Sequence, residues 1–268
     1  MKRFGYILVV VAVGIGSGAF AQDGKAPEKI DLSDGSMIVV DDTVIPLPLE
    51  IFASLDKLGQ QNWGAVVGNR DVKRFPDRSR SALLFGLIVS DGFIAVQAKD
   101  SEAVKRIGRD VMDIAQALAV APQVAKHANA VVLSADKEDW PSVRLELDRT
   151  RQTVLDHMRR NRDGEMAKLV SLGGWLGGTK ALASILRGNY SAEGSDLLNQ
   201  PDLVRRLKKD FEALSADAKE GQLFVKVEKT LQTLEDLMKP NRSGAISEKN
   251  VGQISSETDE LVDAIYES

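Results

Sequence analysis

The sequence predicts an all-α protein, a multi-helix bundle of antiparallel amphipathic helices around a central apolar helix pair. Apolar residues recur at alternating steps of three and four along most of the chain after residue 48, which is the period of an amphipathic helix. Two segments are apolar on nearly all sides, as is typical of buried helices. The links between segments are short, and short links favour antiparallel neighbours.

Residues 1–21 have the pattern of a secretory signal peptide. Lys2 and Arg3 give a positive start, an apolar run covers residues 6–15, and residues 19–21 form an A-x-A cleavage site. The apolar run is too short for a bilayer core about 30 Å thick. We therefore expect cleavage after residue 21, no membrane span afterwards, and a periplasmic or secreted protein. An uncleaved membrane anchor is the alternative.

Residues 22–47 are expected to form a flexible or extended N-terminal arm. Two β-branched runs at residues 37–40 and 43–45 flank a polar pair of aspartates. This pattern suits either a short β-hairpin or an extended arm that lies on the helices. Pro48 can open a helix at its first turn, so the helical domain is expected to cover residues 48–268.

The helical segments then follow one another to the end of the chain. Asp100 or Ser101 is expected to cap one of them, and Asp163 another. The last three segments either pack on the others or form a C-terminal three-helix subdomain at residues 200–268. No repeat of constant period appears, so a solenoid is not expected. The predicted helical stripes cover residues 51–58, 79–98, 104–118, 122–133, 143–158, 165–187, 203–214, 224–238 and 251–265.

The central pair is expected to consist of residues 79–98 and 165–187, the two most apolar of these segments. The second carries glycines four residues apart, at 173 and 177 and again at 174 and 178, and such a spacing lets another backbone approach closely. Gly86 or Gly92 of the first segment is the expected point of contact. Each glycine in a helix interior costs about 1 kcal/mol relative to alanine, so close packing or space for a ligand must offset that cost.

Asp91 lies within the most apolar segment and is the main candidate for a functional residue. A buried charge without a partner is very costly, so this carboxylate needs a cation, a backbone donor or water. Arg80, Lys180 and Arg187 are the candidate cations. Asp91 is either a pocket carboxylate or a structural group, in an ion pair or at a helix kink next to Gly92.

The candidate ligand or partner residues share these two segments. Trp175 is a candidate pocket wall because it points away from the glycine face of its helix. The complete set is Asp91, Trp175, Gly173, Gly177, Lys180 and Arg80. We predict no catalytic, cofactor-binding or metal-binding residues.

Composition excludes several classes of protein. The 268 residues include no cysteine and two histidines, which removes thiolate catalysis, iron–sulfur clusters and multi-histidine metal sites. A formal net charge of −4 lacks the basic excess of a nucleic-acid binder. His127 and His157 are interpreted as surface or hydrogen-bonded side chains. The arginines at residues 144–162 suit either a solvated helix face or an anionic partner.

The expected function is a non-enzymatic, exported binding or protein-interaction module. Its partner would be an envelope protein or a small apolar or anionic ligand, with no cofactor and no nucleic acid. The alternatives are an envelope enzyme that uses Asp91 with a basic partner, and a structural envelope accessory protein. A pocket with Asp91 and Trp175 on its wall would favour ligand binding, whereas a dry core there would favour the other functions.

Overall fold

The computed structural model describes residues 37–40, 43–46, 55–56, 58–241 and 244–267. The predicted signal peptide and most of the predicted arm lie outside the described residues, as does most of the stripe at 51–58. Strands β1 (Met37–Val40) and β2 (Thr43–Pro46) pair antiparallel at the position where the sequence suggests a hairpin.

Eight helices of three turns or more make up most of the described chain, and the all-α prediction is confirmed. Single helical turns precede them at Trp63–Val66 and lie between them at Ala192–Ser195, Asp196–Leu198 and Asp217–Lys219. The helices are α1 (Arg78–Gln97), α2 (Ser101–Ala117), α3 (Ala121–Asp136), α4 (Trp140–Arg160), α5 (Gly164–Gly188), α6 (Pro201–Glu212), α7 (Gln222–Leu237) and α8 (Glu248–Tyr266).

Four three-residue connections with one shared geometry join α1 to α5. The middle residue of each is left-handed, with φ between 55° and 60°, and none of the four is glycine. The N–H group of this middle residue donates to the carbonyl oxygen three residues earlier. The N–H group of the next residue donates to the carbonyl oxygen five residues earlier, which completes a Schellman motif. These middle residues are Lys99, Ala119, Glu138 and Arg162.

The third residue of each connection is the N-cap of the next helix. The Asp100 carboxylate accepts a bond of 2.9 Å from the N–H of Ala103, as the sequence predicts for α2. Asp163 stands at the N-cap position of α5, but its carboxylate makes no capping bond. The predicted capping role is wrong there because Arg78 takes this carboxylate in a bidentate ion pair.

Helices α1 and α5 form the centre of the bundle and pack against each other more extensively than any other pair of described elements. Helix α2 covers α1, and α8 packs along α5. Helix α4 contacts α3 and α5, whereas α6 pairs with α7 and α7 with α8. The predicted central apolar pair is therefore confirmed.

Glycine allows the two central backbones to touch. A Cβ atom on Gly173 would overlap the carbonyl oxygen of Leu83, and one on Gly86 would overlap that of Val170. Gly177 meets the Ser90 side chain in the same way. The Gly178 side of α5 is open, and Gly92, the alternative contact point, faces Ile107 of α2 instead.

Helices α1 and α5 run in the same general direction, since Leu83 lies against Gly173 and Ser90 lies against Gly177. Four short connections that each reverse the chain between α1 and α5 produce this arrangement. By length and composition alone, both helices could also cross a membrane. However, 78% of the most apolar window of α1 and 61% of that of α5 are buried inside the protein, and a core position accounts for such a composition.

Candidate functional site

A cleft of about 410 Å³ opens between α1, α5, α8 and the segment 65–70. Apolar side chains cover part of its wall, including Val66, Leu87 and Val262. The remaining lining is polar or charged, and it includes Asn69, Arg70, Asp91, Lys180, Ser184, Arg187, Asp259 and Tyr266.

One face of α5 supplies a large part of this lining. Gly177, Lys180, Ser184 and Arg187 follow one another at steps of three and four, so they share a helix face. Gly173 lies one turn earlier on the same face, at the contact with α1. The same face of α5 therefore contacts α1 at Gly173 and forms part of the cleft wall from Gly177 onward.

Asp91 of α1 is one of the two carboxylates that line the cleft, and it is half-buried. Burial raises its pKa to about 6, although Lys180, the Gly68 N–H, Arg70 and Arg106 all act to lower it. In the described part of the chain this carboxylate makes no direct ion pair. The free-energy cost of desolvating the ionised carboxylate thus exceeds the stabilisation that the neighbouring groups provide.

Gly68 holds the Asp91 carboxylate from the loop side. Its N–H donates to that carboxylate, and its carbonyl accepts a bond of 2.8 Å from Nη2 of Arg106. A Cβ atom at position 68 would overlap the carboxylate, so any other residue there would displace the Asp91 side chain. Gly68 carries no signal in the sequence that marks it, because it lies in a loop with several glycines and no periodicity.

Two of the cleft cations are engaged by carboxylates of α8. Lys180 lies 3.4 Å from Asp259. Arg70 forms an ion pair with Asp263, and its guanidinium lies 5.3 Å from the centre of the Tyr266 ring. Burial and the nearby Asp91 charge raise the pKa of Tyr266, so its phenol stays neutral.

Arg187 differs from these two cations. It is exposed at the C-terminal end of α5, on the rim of the cleft. Within the described residues its guanidinium makes no ion pair or hydrogen bond. It is therefore available to a group that enters from solvent.

Arg80 and Trp175 lie outside the cleft. The Arg80 guanidinium donates to the carbonyl oxygens of Ile265 and Ala264 at 3.1 and 3.3 Å, at the C-terminal end of α8. A cation at this end of a helix offsets the negative end of its dipole. The Trp175 Nε1–H donates to Oε1 of Gln200 at 3.1 Å. Of the candidate residues, the structure thus brings Asp91, Gly177 and Lys180 together.

His127 forms a chain of bonds that has the order of a hydrolase triad. Its Nδ1 lies 2.9 Å from Oε2 of Glu146, and its Nε2 lies 3.2 Å from Oγ1 of Thr153. Thr153 is in the middle of α4, where backbone N–H groups are used within the helix and none can stabilise an oxyanion. The bonds instead tie α3 to α4, as a hydrogen-bonded histidine would.

Three of the six arginines at residues 144–162 pair with acids of their own helix, and Arg144 pairs with Asp56 instead. Arg149 bonds to Glu146 and Arg159 to Asp156, both three residues apart. Arg151 does not lie on a solvated helix face, because only 13% of its side chain is exposed. It bonds to Asp148, while its Nε and Nη1 atoms are buried without a partner.

The described residues contain no group of three or more histidine, aspartate or glutamate side chains placed to hold a metal ion. Comparisons with protein-family models, with curated proteins and with solved structures gave no match. The site therefore has to be interpreted from its own geometry and charges.

Proposed function

We propose that this chain is an exported, non-enzymatic binding protein that takes a small ligand into the cleft beside Asp91. The observation that carries the proposal is a half-buried carboxylate without an ion-pair partner that faces an open cleft. A carboxylate placed only for stability would be paired, because an uncompensated buried charge destabilises the folded state.

The size and lining of the cleft support a small ligand. A volume of about 410 Å³ lies within the range of small-molecule pockets, roughly 300 to 1,000 Å³. Its wall combines an apolar part with a few polar groups, the composition that orients a bound molecule. Three of its four sides are helices, which hold binding groups more rigidly than loops do.

Export is supported by the sequence of residues 1–21 alone. Cleavage after residue 21 would release a chain that begins at Gln22, with the whole cleft intact. N-terminal sequencing of the native protein from the envelope fraction tests this part of the proposal. A protein that keeps Met1 and sediments with the membrane would contradict it.

Binding is tested with isotope-labelled protein and a set of small probes: leucine, ethanolamine, succinate and glucose. We expect at least one probe, at millimolar concentration, to shift the backbone amide signals of residues 65–70 and of Asp91. The variant Ser184→Trp should remove these shifts, because residue 184 lines the cleft. Gly188→Trp is the matched control, since residue 188 is exposed and a Cβ atom there has no neighbour within 4 Å.

A single observation favours an enzyme as the second candidate. The pKa of Asp91, at about 6, is close to neutral pH, where a carboxyl group can both accept and donate a proton. Turnover of a bound probe that disappears in Asp91→Asn would favour this candidate over binding alone. Binding without any chemical change of the probe favours the binding protein.

A further inference from the structure

We propose that the ligand of the cleft is a zwitterion, with an ammonium group bound at Asp91 and a carboxylate bound at Arg187. This inference rests on the proposed binding function and adds the chemical class of the ligand. It follows from which charges of the cleft are already paired and which are not.

The charged side chains around the cleft form internal pairs with two exceptions. Lys180 pairs with Asp259, and Arg70 pairs with Asp263. Behind the cleft wall, Arg106 lies 3.9 Å from Asp110 of its own helix. Within the described residues this leaves one anion, Asp91, and one cation, Arg187, without a direct ion pair.

The two unpaired groups differ in what they can bind. Asp91 accepts one backbone N–H bond, from Gly68, and has further acceptor positions on its carboxylate oxygens. An ammonium group is the donor that best fits a carboxylate surrounded by little water. The guanidinium of Arg187 offers two parallel N–H bonds, which match the two oxygens of a ligand carboxylate.

Asp91 and Arg187 line the same cleft, so one molecule in the cleft can contact both. Arg187 lies two turns beyond Lys180 on α5, a rise of about 10 Å along the helix axis. Side chains of a helix lean toward its N-terminus, which for Arg187 is the direction of Ser184 and Lys180, and Arg187 lines the cleft with them. The apolar wall at Val66, Leu87 and Val262 can contact a hydrocarbon part of the same ligand.

The experiment uses two zwitterions and their singly charged analogues on the mature chain. Leucine is compared with 3-methylbutylamine and 4-methylpentanoate, and 5-aminopentanoate is compared with pentylamine and pentanoate. Calorimetric or NMR titration gives the dissociation constants. We expect at least one zwitterion to bind about tenfold or more tightly than both of its analogues, since each charge-assisted bond contributes that factor.

Two variants show which side chain of the protein binds each charge of the ligand. Asp91→Asn should reduce zwitterion binding to the level of the acid analogue, and Arg187→Gln should reduce it to the level of the amine analogue. Lys168→Gln, on α5 but outside the cleft, is the control and should bind as the parent does.

The outcomes separate the ligand class from the binding function. Equal binding of a zwitterion and one of its singly charged analogues, blocked by Ser184→Trp, overturns the zwitterion and leaves the cleft as a binding site. Binding that Ser184→Trp does not affect, or no binding of any probe at millimolar concentration, overturns both proposals.

Discussion

The α1/α5 pair has two regions with different surroundings, a contact end around Gly86 and Gly173 and an open end that borders the cleft. At Gly86 and Gly173 the backbones touch, and not even a methyl group fits between them. At Asp91 and Lys180 the helices border a cleft of about 410 Å³ together with α8 and the loop of residues 65–70.

The distribution of charge follows this difference. The contact end contains glycine and leucine, whereas the open end contains the charged residues Asp91, Lys180 and Arg187. A charge placed at the contact end would lose its water without room for a partner. Thus the same face of α5 packs against α1 at Gly173 and lines the cleft at Lys180, Ser184 and Arg187, because glycine is replaced by polar side chains along it.

The largest expected effect comes from a substitution that disrupts the contact end. Gly173→Leu places a side chain where the Leu83 carbonyl oxygen already lies, so the two backbones must separate. We expect the free energy of unfolding to fall by about 3 kcal/mol or more, beyond the usual range for overpacking. Chemical denaturation measures the loss. Gly178→Ala is the control on the open side of α5 and should stabilise the helix by up to about 1 kcal/mol.

Gly177→Leu tests the boundary between the two ends. Its Cβ would overlap Oγ of Ser90, a side chain that can rotate, so the cost should be about 1 to 3 kcal/mol. The leucine also enters the cleft, which Gly177 lines, and should weaken the binding of any probe there. Unchanged melting together with unchanged binding would contradict the close contact on this face.

The open end is tested by Asp91→Asn over a range of pH. Burial raises the folded-state pKa of Asp91 from 3.8 to about 6, so between these values the folded state holds more protons than the unfolded state. Ionisation of Asp91 therefore lowers stability as pH rises through this window, and the cost stays constant above it. The shift corresponds to at most about 3 kcal/mol, and water in the cleft reduces it.

Asp91→Asn should thus be more stable than the parent at pH 7 and equal to it below pH 3.8. Urea denaturation at several pH values gives the comparison. A variant that is less stable than the parent at pH 7 would indicate a structural ion pair, and the interpretation of Asp91 as a pocket residue would fail.

The smallest expected effect concerns the connections, where the backbone is left-handed and glycine is missing. Ala119→Gly removes the methyl group that disfavours this conformation and should stabilise the protein by about 0.5 to 1 kcal/mol. Ala117→Gly, two residues earlier and helical, should destabilise it by a similar amount. Equal effects of the two substitutions would contradict the left-handed geometry.

Periodicity was sufficient to predict the helices and the central pair. The stripe at residues 79–98 corresponds to Arg78–Gln97, and the glycines at 173 and 177 lie at the predicted contact. The left-handed connections escaped prediction because Lys, Ala, Glu and Arg stand where glycine is the usual signal.

The site was predicted less completely, for reasons of geometry. Arg80 shares a face with Asp91, but eleven residues of helix separate the two by about 16 Å. Trp175 precedes Gly177 by two residues, which turns it about 200° around α5, away from the cleft. Gly68 and Tyr266 come from distant parts of the chain, and one sequence does not indicate which distant segments meet.

The cleft depends on a contact between segments that are far apart in the chain. Helices α1 to α4 are joined by three-residue connections, so neighbouring helices can pair through local contacts. The α1/α5 contact instead joins residues about 90 positions apart, and closing so long a segment costs chain entropy before any contact compensates for it. Pairing of neighbouring helices alone therefore does not form the cleft, which arises only with the non-local step that completes the core.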